Sequence, residues 1–239
     1  MNRRSAAAIT ITVGLLSSYL ASSEDLLLFV RPSMRPWLLL AGALLVTAGA
    51  AAAAFDLRRR QAQSTGHGFT AVGLLLLVPV GIAALAPAAV GEYAASRSRS
   101  FQQRTYQLDS FDLERYLAAQ EITGGTPSLP VLDYLSATAD PAGRRYLSRH
   151  GVRVTAFTMD GGGARHTMLT RMVVGCCAAD ALPVRLEADL AGHPKPRDGQ
   201  WVTATVRLLH PARGDRPPSV RVEAIHPTSE PDRPYEYRV

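Results

Sequence analysis

The sequence predicts a membrane α-helical N-terminal region of about three spans joined to a mainly β C-terminal domain. Three observations predict it. Long uncharged stretches crowd the first 91 residues, hydrophobic alternation of period two sets in after Gly151, and Gly/Pro-rich turns separate the alternating runs. The bulk composition hides this division, since 47% hydrophobic and 19% charged residues are the averages of a soluble protein. The charge is unevenly placed. Residues 1–91 hold only three acids (Glu24, Asp25, Asp56) and seven arginines, and residues 92–239 hold all the other charges. The net +6 divides into +4 for the first part and +2 for the second, so the soluble part is nearly balanced and has no dense basic run. That argues against nucleic acid as a partner.

The first expected span is 5–23, after Arg3 and Arg4, and the second is 36–55, opened by Pro36 and Trp37 and closed by Asp56 and Arg58 to Arg60. The third is 69–91, within an uncharged run between Arg60 and Glu92. About 20 apolar residues cover the hydrocarbon core, which makes the lipid bilayer the expected surrounding of 1–91. Arginines flank the first span on its N-terminal side and lie between the second and third, which puts both places in the cytoplasm. Three crossings then leave the C-terminal domain extracytoplasmic in a multi-pass protein of a bacterial cell membrane. A cleaved first span, ending at the small residues Ala21-Ser22-Ser23, leaves the C-terminal domain on the same side. Pro79 and Pro87 bend the third span, and no span carries a mid-membrane charge that would mark an ion path.

Residues 92–150 read as a polar linker with short helices, one over 111–120 and one over 129–139, the second ended by Asp140-Pro141 and Gly143. The domain at 151–239 then alternates. Val152, Val154 and Ala156 form one apolar row; Met168, Met172 and Val174 form a second, with Arg171 on the opposite side. Val184, Leu186 and Ala188, then Val202 to Leu208, then Val220 to Ala224 complete five half-buried strands. Five short strands at this spacing predict a small OB-like barrel or curled sheet. The connection 190–200 between the third and fourth strands is too short and too rich in Gly and Pro for a helix.

The two cysteines are adjacent, so no disulfide framework exists. Cys176 and Cys177 would face opposite sides of a strand but converge in a turn. Two extracytoplasmic thiols suggest a soft-metal site, zinc being the expected ion, with Asp180, His166 or His226 completing the ligands. The spacing is not that of a structural zinc motif, and a packed cysteine beside a turn fixed by Asp180 is the other reading. His67, His150, His193 and His210 fall in turns. No phosphate-loop, zinc-protease or nucleophile-elbow pattern occurs, and the chain is expected not to be an enzyme.

The string Arg171 to Val184 contains Cys176-Cys177-Ala178-Ala179-Asp180-Ala181 and Pro183, and Trp201 and Pro234-Tyr235-Glu236-Tyr237 follow it. With the preceding apolar spans, this resembles the YcgQ-like family of bacterial membrane proteins. The resemblance implies an accessory subunit of a two-component permease, paired with a larger multi-span permease, with the β-domain as a binding or gating module. The alternative expectation is an extracytoplasmic protein that binds or delivers a metal through Cys176 and Cys177.

Overall fold

The computed structural model describes residues 3–59, 113–119, 125–214 and 216–237. It divides into two compact units, Met1–Ala89 and Val90–Val239. The expected third span and residues 92–112 and 120–124 of the linker lie outside the described residues.

In the first unit, α1 (Arg3–Ser22) and α2 (Arg35–Arg59) are joined by two short 3-10 turns and pack against each other as a hairpin. Their seam is built from small residues every seven positions. Ala7, Gly14 and Ala21 are buried on α1, and Gly42 and Gly49 are buried on α2. A Cβ added at Gly14 would lie 2.8 Å from the Gly42 carbonyl oxygen, and one at Gly49 would lie 3.1 Å from that of Ala7. The backbones therefore nearly touch, which only glycine and alanine permit. Arg35 closes the open end. Its Nε donates to the Ala21 carbonyl at 2.7 Å and its Nη2 donates to that of Ser23 at 2.9 Å, satisfying acceptors that a helix C-terminus leaves free.

Away from the seam, the large side chains point outward; Leu15, Tyr19, Leu40, Leu44 and Phe55 are exposed. The hydroxyls in these helices are satisfied internally, as Thr10 donates to the Ala6 carbonyl at 2.8 Å and Thr47 to that of Ala43 at 3.0 Å. The segment Pro32–Phe55 is long and apolar enough to cross a membrane. At the first expected span, the apolar helix is the shorter Ala6–Ser22. Among the described residues, one helix rather than two is both long and apolar enough to cross a membrane.

In the second unit, α3 (Leu113–Ala119), α4 (Val131–Ala139) and α5 (Pro141–Arg149) precede six strands. These are β1 (Val152–Asp160), β2 (His166–Val174), β3 (Leu182–Asp189), β4 (Trp201–His210), β5 (Ser219–Pro227) and β6 (Tyr235–Tyr237). They form one mixed six-stranded sheet. β1 pairs with β4 through its first half and with β2 through its second, changing partner at Phe157. β2 pairs antiparallel with β3, β3 runs parallel to β5, and β5 pairs antiparallel with β4. The pairings of these five strands thus return to their starting point. β6 runs parallel to β2 outside that circuit, with Val173 opposite Glu236.

The expected alternation holds in β1, β3 and β4, where Val152, Val154, Val184, Leu186, Val202 and Val206 are buried. The connection after β3 contains no helix. α4 and α5 insert Leu132, Tyr134, Leu135 and Leu147 among the strand residues of the core. Asp140-Pro141 ends α4 at Ala139 as expected, and it also starts α5. Asp140 is the N-cap, its Oδ2 accepting from the Gly143 N–H at 2.8 Å, and Pro141 occupies the first turn, where its missing N–H is harmless. The pleat of β2 keeps Arg171 on the side opposite Met172 and Val174, but the strand is buried on both faces from Leu169 to Val174 rather than half-buried, and Arg171 is 7% exposed. Tyr235 and Tyr237 are strand residues of β6.

Candidate metal centre

Between the end of β2 at Val174 and the start of β3 at Leu182, the chain must reverse direction. Asp180 fastens the reversal. Its Oδ1 accepts from the Gly175 N–H at 2.9 Å and its Oδ2 from the Cys176 N–H at 2.7 Å, while residues Ala178–Asp180 form one 3-10 turn. The strand rule that sends consecutive side chains to opposite faces no longer applies here. Cys176 is exposed, Cys177 is partly buried, both are free thiols, and their sulfurs stand 3.8 Å apart. One ligand atom each from Cys176, Cys177 and Asp180 can be chosen so that all three lie within 4.8 Å of one another.

That spacing fits a metal. Two thiolates each about 2.3 Å from a tetrahedral zinc ion stand about 3.8 Å apart, so binding requires little movement of either sulfur. Both Asp180 oxygens already accept an N–H but keep lone pairs for a cation. His166 does not join the group. It opens β2 opposite Asp189, at the far end of the strand from the cysteines. His226, opposite Thr203 on β5, is not among the grouped ligands either. Three protein ligands leave a fourth tetrahedral position open, the arrangement of an exchanging site rather than a closed structural one.

Electrostatics keep the Cys176 thiol protonated. The Asp180 carboxylate and the neighbouring Cys177 thiol push Cys176 up to about 11. Slight burial pushes Asp180 up, but its bonds from Cys176 and from the N–H groups of Gly175 and Cys177 prevail and hold it below its ordinary value. The carboxylate disfavours the thiolate, so removing its charge lowers the Cys176 pKa. Asp180→Asn is therefore expected to speed alkylation of Cys176 at pH 8 by about tenfold or more, since thiolate is the reacting species. Mass-spectrometric rates on the metal-free protein, with Cys177→Ser in both chains, measure it; an unchanged or slower rate contradicts this account.

The other motif residues gather on the same stretch of β2. Pro183 is buried opposite Met172. Tyr235 and Tyr237 pair with Met172 and Val174, and Pro234 leads into them buried. Trp201 packs edge-on to Phe157 with ring centroids 5.5 Å apart and carries the Arg171 guanidinium 4.9 Å over its ring. Arg171 and Glu236 form the feature that the alternation pattern does not reveal. Arg171 Nε lies 3.4 Å from Glu236 Oε1, with both side chains under 10% exposed. The Glu236 oxygens accept from the Val131 and Leu132 N–H groups at 2.8 and 2.7 Å, capping α4 where Pro130 offers no side-chain cap. The buried Glu in Pro-Tyr-Glu-Tyr, alone between two aromatic residues, was the available sequence signal.

Residues 149–238, less than half of the chain, match the family model described as DUF1980 C-terminal domain. This is the uncharacterised family to which the YcgQ-like resemblance points, and the match names no activity. No curated protein matches. A solved structure described as a "putative aspartyl-tRNA synthetase from Leishmania major Friedlin" is similar at 16% identity with a TM-score of 0.30. That similarity covers 50% of this chain and 26% of that one, and it carries no argument about this protein.

Proposed function

We propose that the chain is a membrane-anchored, non-enzymatic accessory subunit of a two-component permease whose β-domain binds a soft metal ion, such as zinc, outside the cytoplasm. The observation that carries the binding half is the 3.8 Å separation of the Cys176 and Cys177 sulfurs beside Asp180. Two thiols and a carboxylate suit a borderline-soft cation, and the open fourth position suits transfer to a partner. The anchoring half is supported by Pro32–Phe55 and by the outward apolar residues of the α1–α2 hairpin. The outer helix surfaces would meet lipid or the spans of a multi-span permease, with two further crossings from the first and third uncharged stretches. The β-domain itself is read as an OB-like barrel, supported by the returning circuit β1-β2-β3-β5-β4 with a parallel β3–β5 pair. In that reading α4 and α5 replace the usual helix between the third and fourth strands.

Extraction from the native membrane in mild detergent tests the accessory role. The chain is expected to migrate in size-exclusion chromatography with a multi-span membrane protein. Recovery of the chain alone under the same conditions contradicts it.

A further inference from the structure

The turn that brings Cys176 and Cys177 together also limits what oxidation can do to them. Two thiols become a disulfide when their sulfurs bond, two protons leave and two electrons pass to an oxidant. The two sulfurs stand 3.8 Å apart and would have to close to about 2.05 Å. Adjacency resists this. Cα atoms across one trans peptide are about 3.8 Å apart, whereas disulfides usually join Cα atoms about 4.4 Å or more apart. A bond outside that range is strained and readily reduced.

The backbone resists closure too. Forming the ring requires the chain to rotate at Cys176 and Cys177, and both sides of that pair are held. The Gly175 and Cys176 N–H groups donate to the two Asp180 oxygens at 2.9 and 2.7 Å. The Cys177 carbonyl accepts from the Asp180 N–H at 3.0 Å. Asp180 thus fixes the turn in a form that holds two separate thiols, and the chain has no third cysteine to pair with either.

We infer that the Asp180 turn protects the pair from oxidation, keeping Cys176 and Cys177 as thiols available to a cation in surroundings that join other cysteines. The inference rests on reading the pair as a metal site outside the cytoplasm, where disulfides form and persist. It concerns the metal-free protein, so its test stands or falls apart from zinc binding.

The full chain in mild detergent, stripped of metal, is equilibrated with glutathione and glutathione disulfide, then alkylated and read by mass spectrometry. A thiolate of the pair attacks glutathione disulfide, forming a mixed disulfide and releasing one glutathione thiolate. Attack by the second thiolate closes the ring and releases the other glutathione. At fixed glutathione, the ratio of closed to mixed disulfide reads ring closure alone. In the native chain the closed form is expected to be less than about a tenth of the oxidised protein. In Cys177→Ala/Ala179→Cys, which sets the thiols three positions apart, it is expected to be the main oxidised form. Asp180→Ala removes both side-chain acceptors and is expected to raise the native ratio about threefold or more. A native chain that stays reduced where the Cys177→Ala/Ala179→Cys variant closes also supports the inference. A closed disulfide as the main oxidised form of the native chain overturns it, as does a ratio that Asp180→Ala leaves unchanged.

Discussion

Replacing Glu236 with alanine is expected to destabilise the β-domain by about 3–5 kcal/mol, because removing one partner of a buried ion pair leaves the other charge uncompensated. Arg171 would then be held under 10% exposed without its ion-pair partner, and the Val131 and Leu132 N–H groups would lose their acceptors at the start of α4. One side chain therefore ties β6, β2 and α4 together. Burial pushes the Glu236 carboxyl up, against the pull of Arg171 and the two N–H groups. Glu236→Gln keeps an acceptor for α4 but removes the charge, and is expected to fall between alanine and the native residue. Urea unfolding followed by Trp201 fluorescence, in a Trp37→Phe background, measures all three. A loss below about 1 kcal/mol for alanine, the range of an exposed pair, contradicts the buried-lock account.

Gly42→Leu is expected to disrupt the helical hairpin. Even a Cβ at that position would lie 2.3 Å from Ser18 Oγ and 2.9 Å from the Gly14 carbonyl oxygen. The hydroxyl can rotate away, but the carbonyl cannot move unless the helices separate. Overpacking of this kind costs about 1–3 kcal/mol, and the upper end is expected here because backbone faces backbone. Ala41→Leu, one position away on the exposed side of α2, is the control and is expected to be close to neutral. Unfolding in SDS followed by Trp37 fluorescence, in a Trp201→Phe background, compares them. Equal stability of the two variants would mean that the small-residue seam is not where the helices meet.

Much of this architecture is legible in the residues, and the gaps have physical reasons. Uncharged length gives 36–55, most of the apolar segment Pro32–Phe55, and period-two alternation gives β1, β3 and β4, because each is a local property of the chain. The cysteine turn is legible too, since convergence of two adjacent thiols needs only a bend and an aspartate to hold it. The seven-residue spacing of Ala7, Gly14 and Ala21 is written in the sequence but looks like ordinary apolar filler until a second helix lies against it. Alternation assigns Arg171 a face without showing that Trp201, Glu236 and the Arg233 carbonyl, all distant in sequence, enclose it there. Asp140-Pro141 is legible only in part, as the end of α4 but not as the start of α5. The same pair stops one helix and caps the next, and only the chain that follows decides which.

The account depends most on Cys176 and Cys177 acting as a pair. Zinc content of the full chain in detergent, after equilibration with zinc and removal of excess, tests this directly. One ion per chain is expected for the native sequence, reduced to a small fraction in Cys176→Ser and in Cys177→Ser, with near-UV circular dichroism showing both variants folded. Native-level zinc in either folded variant, or none in the native chain, contradicts the metal centre.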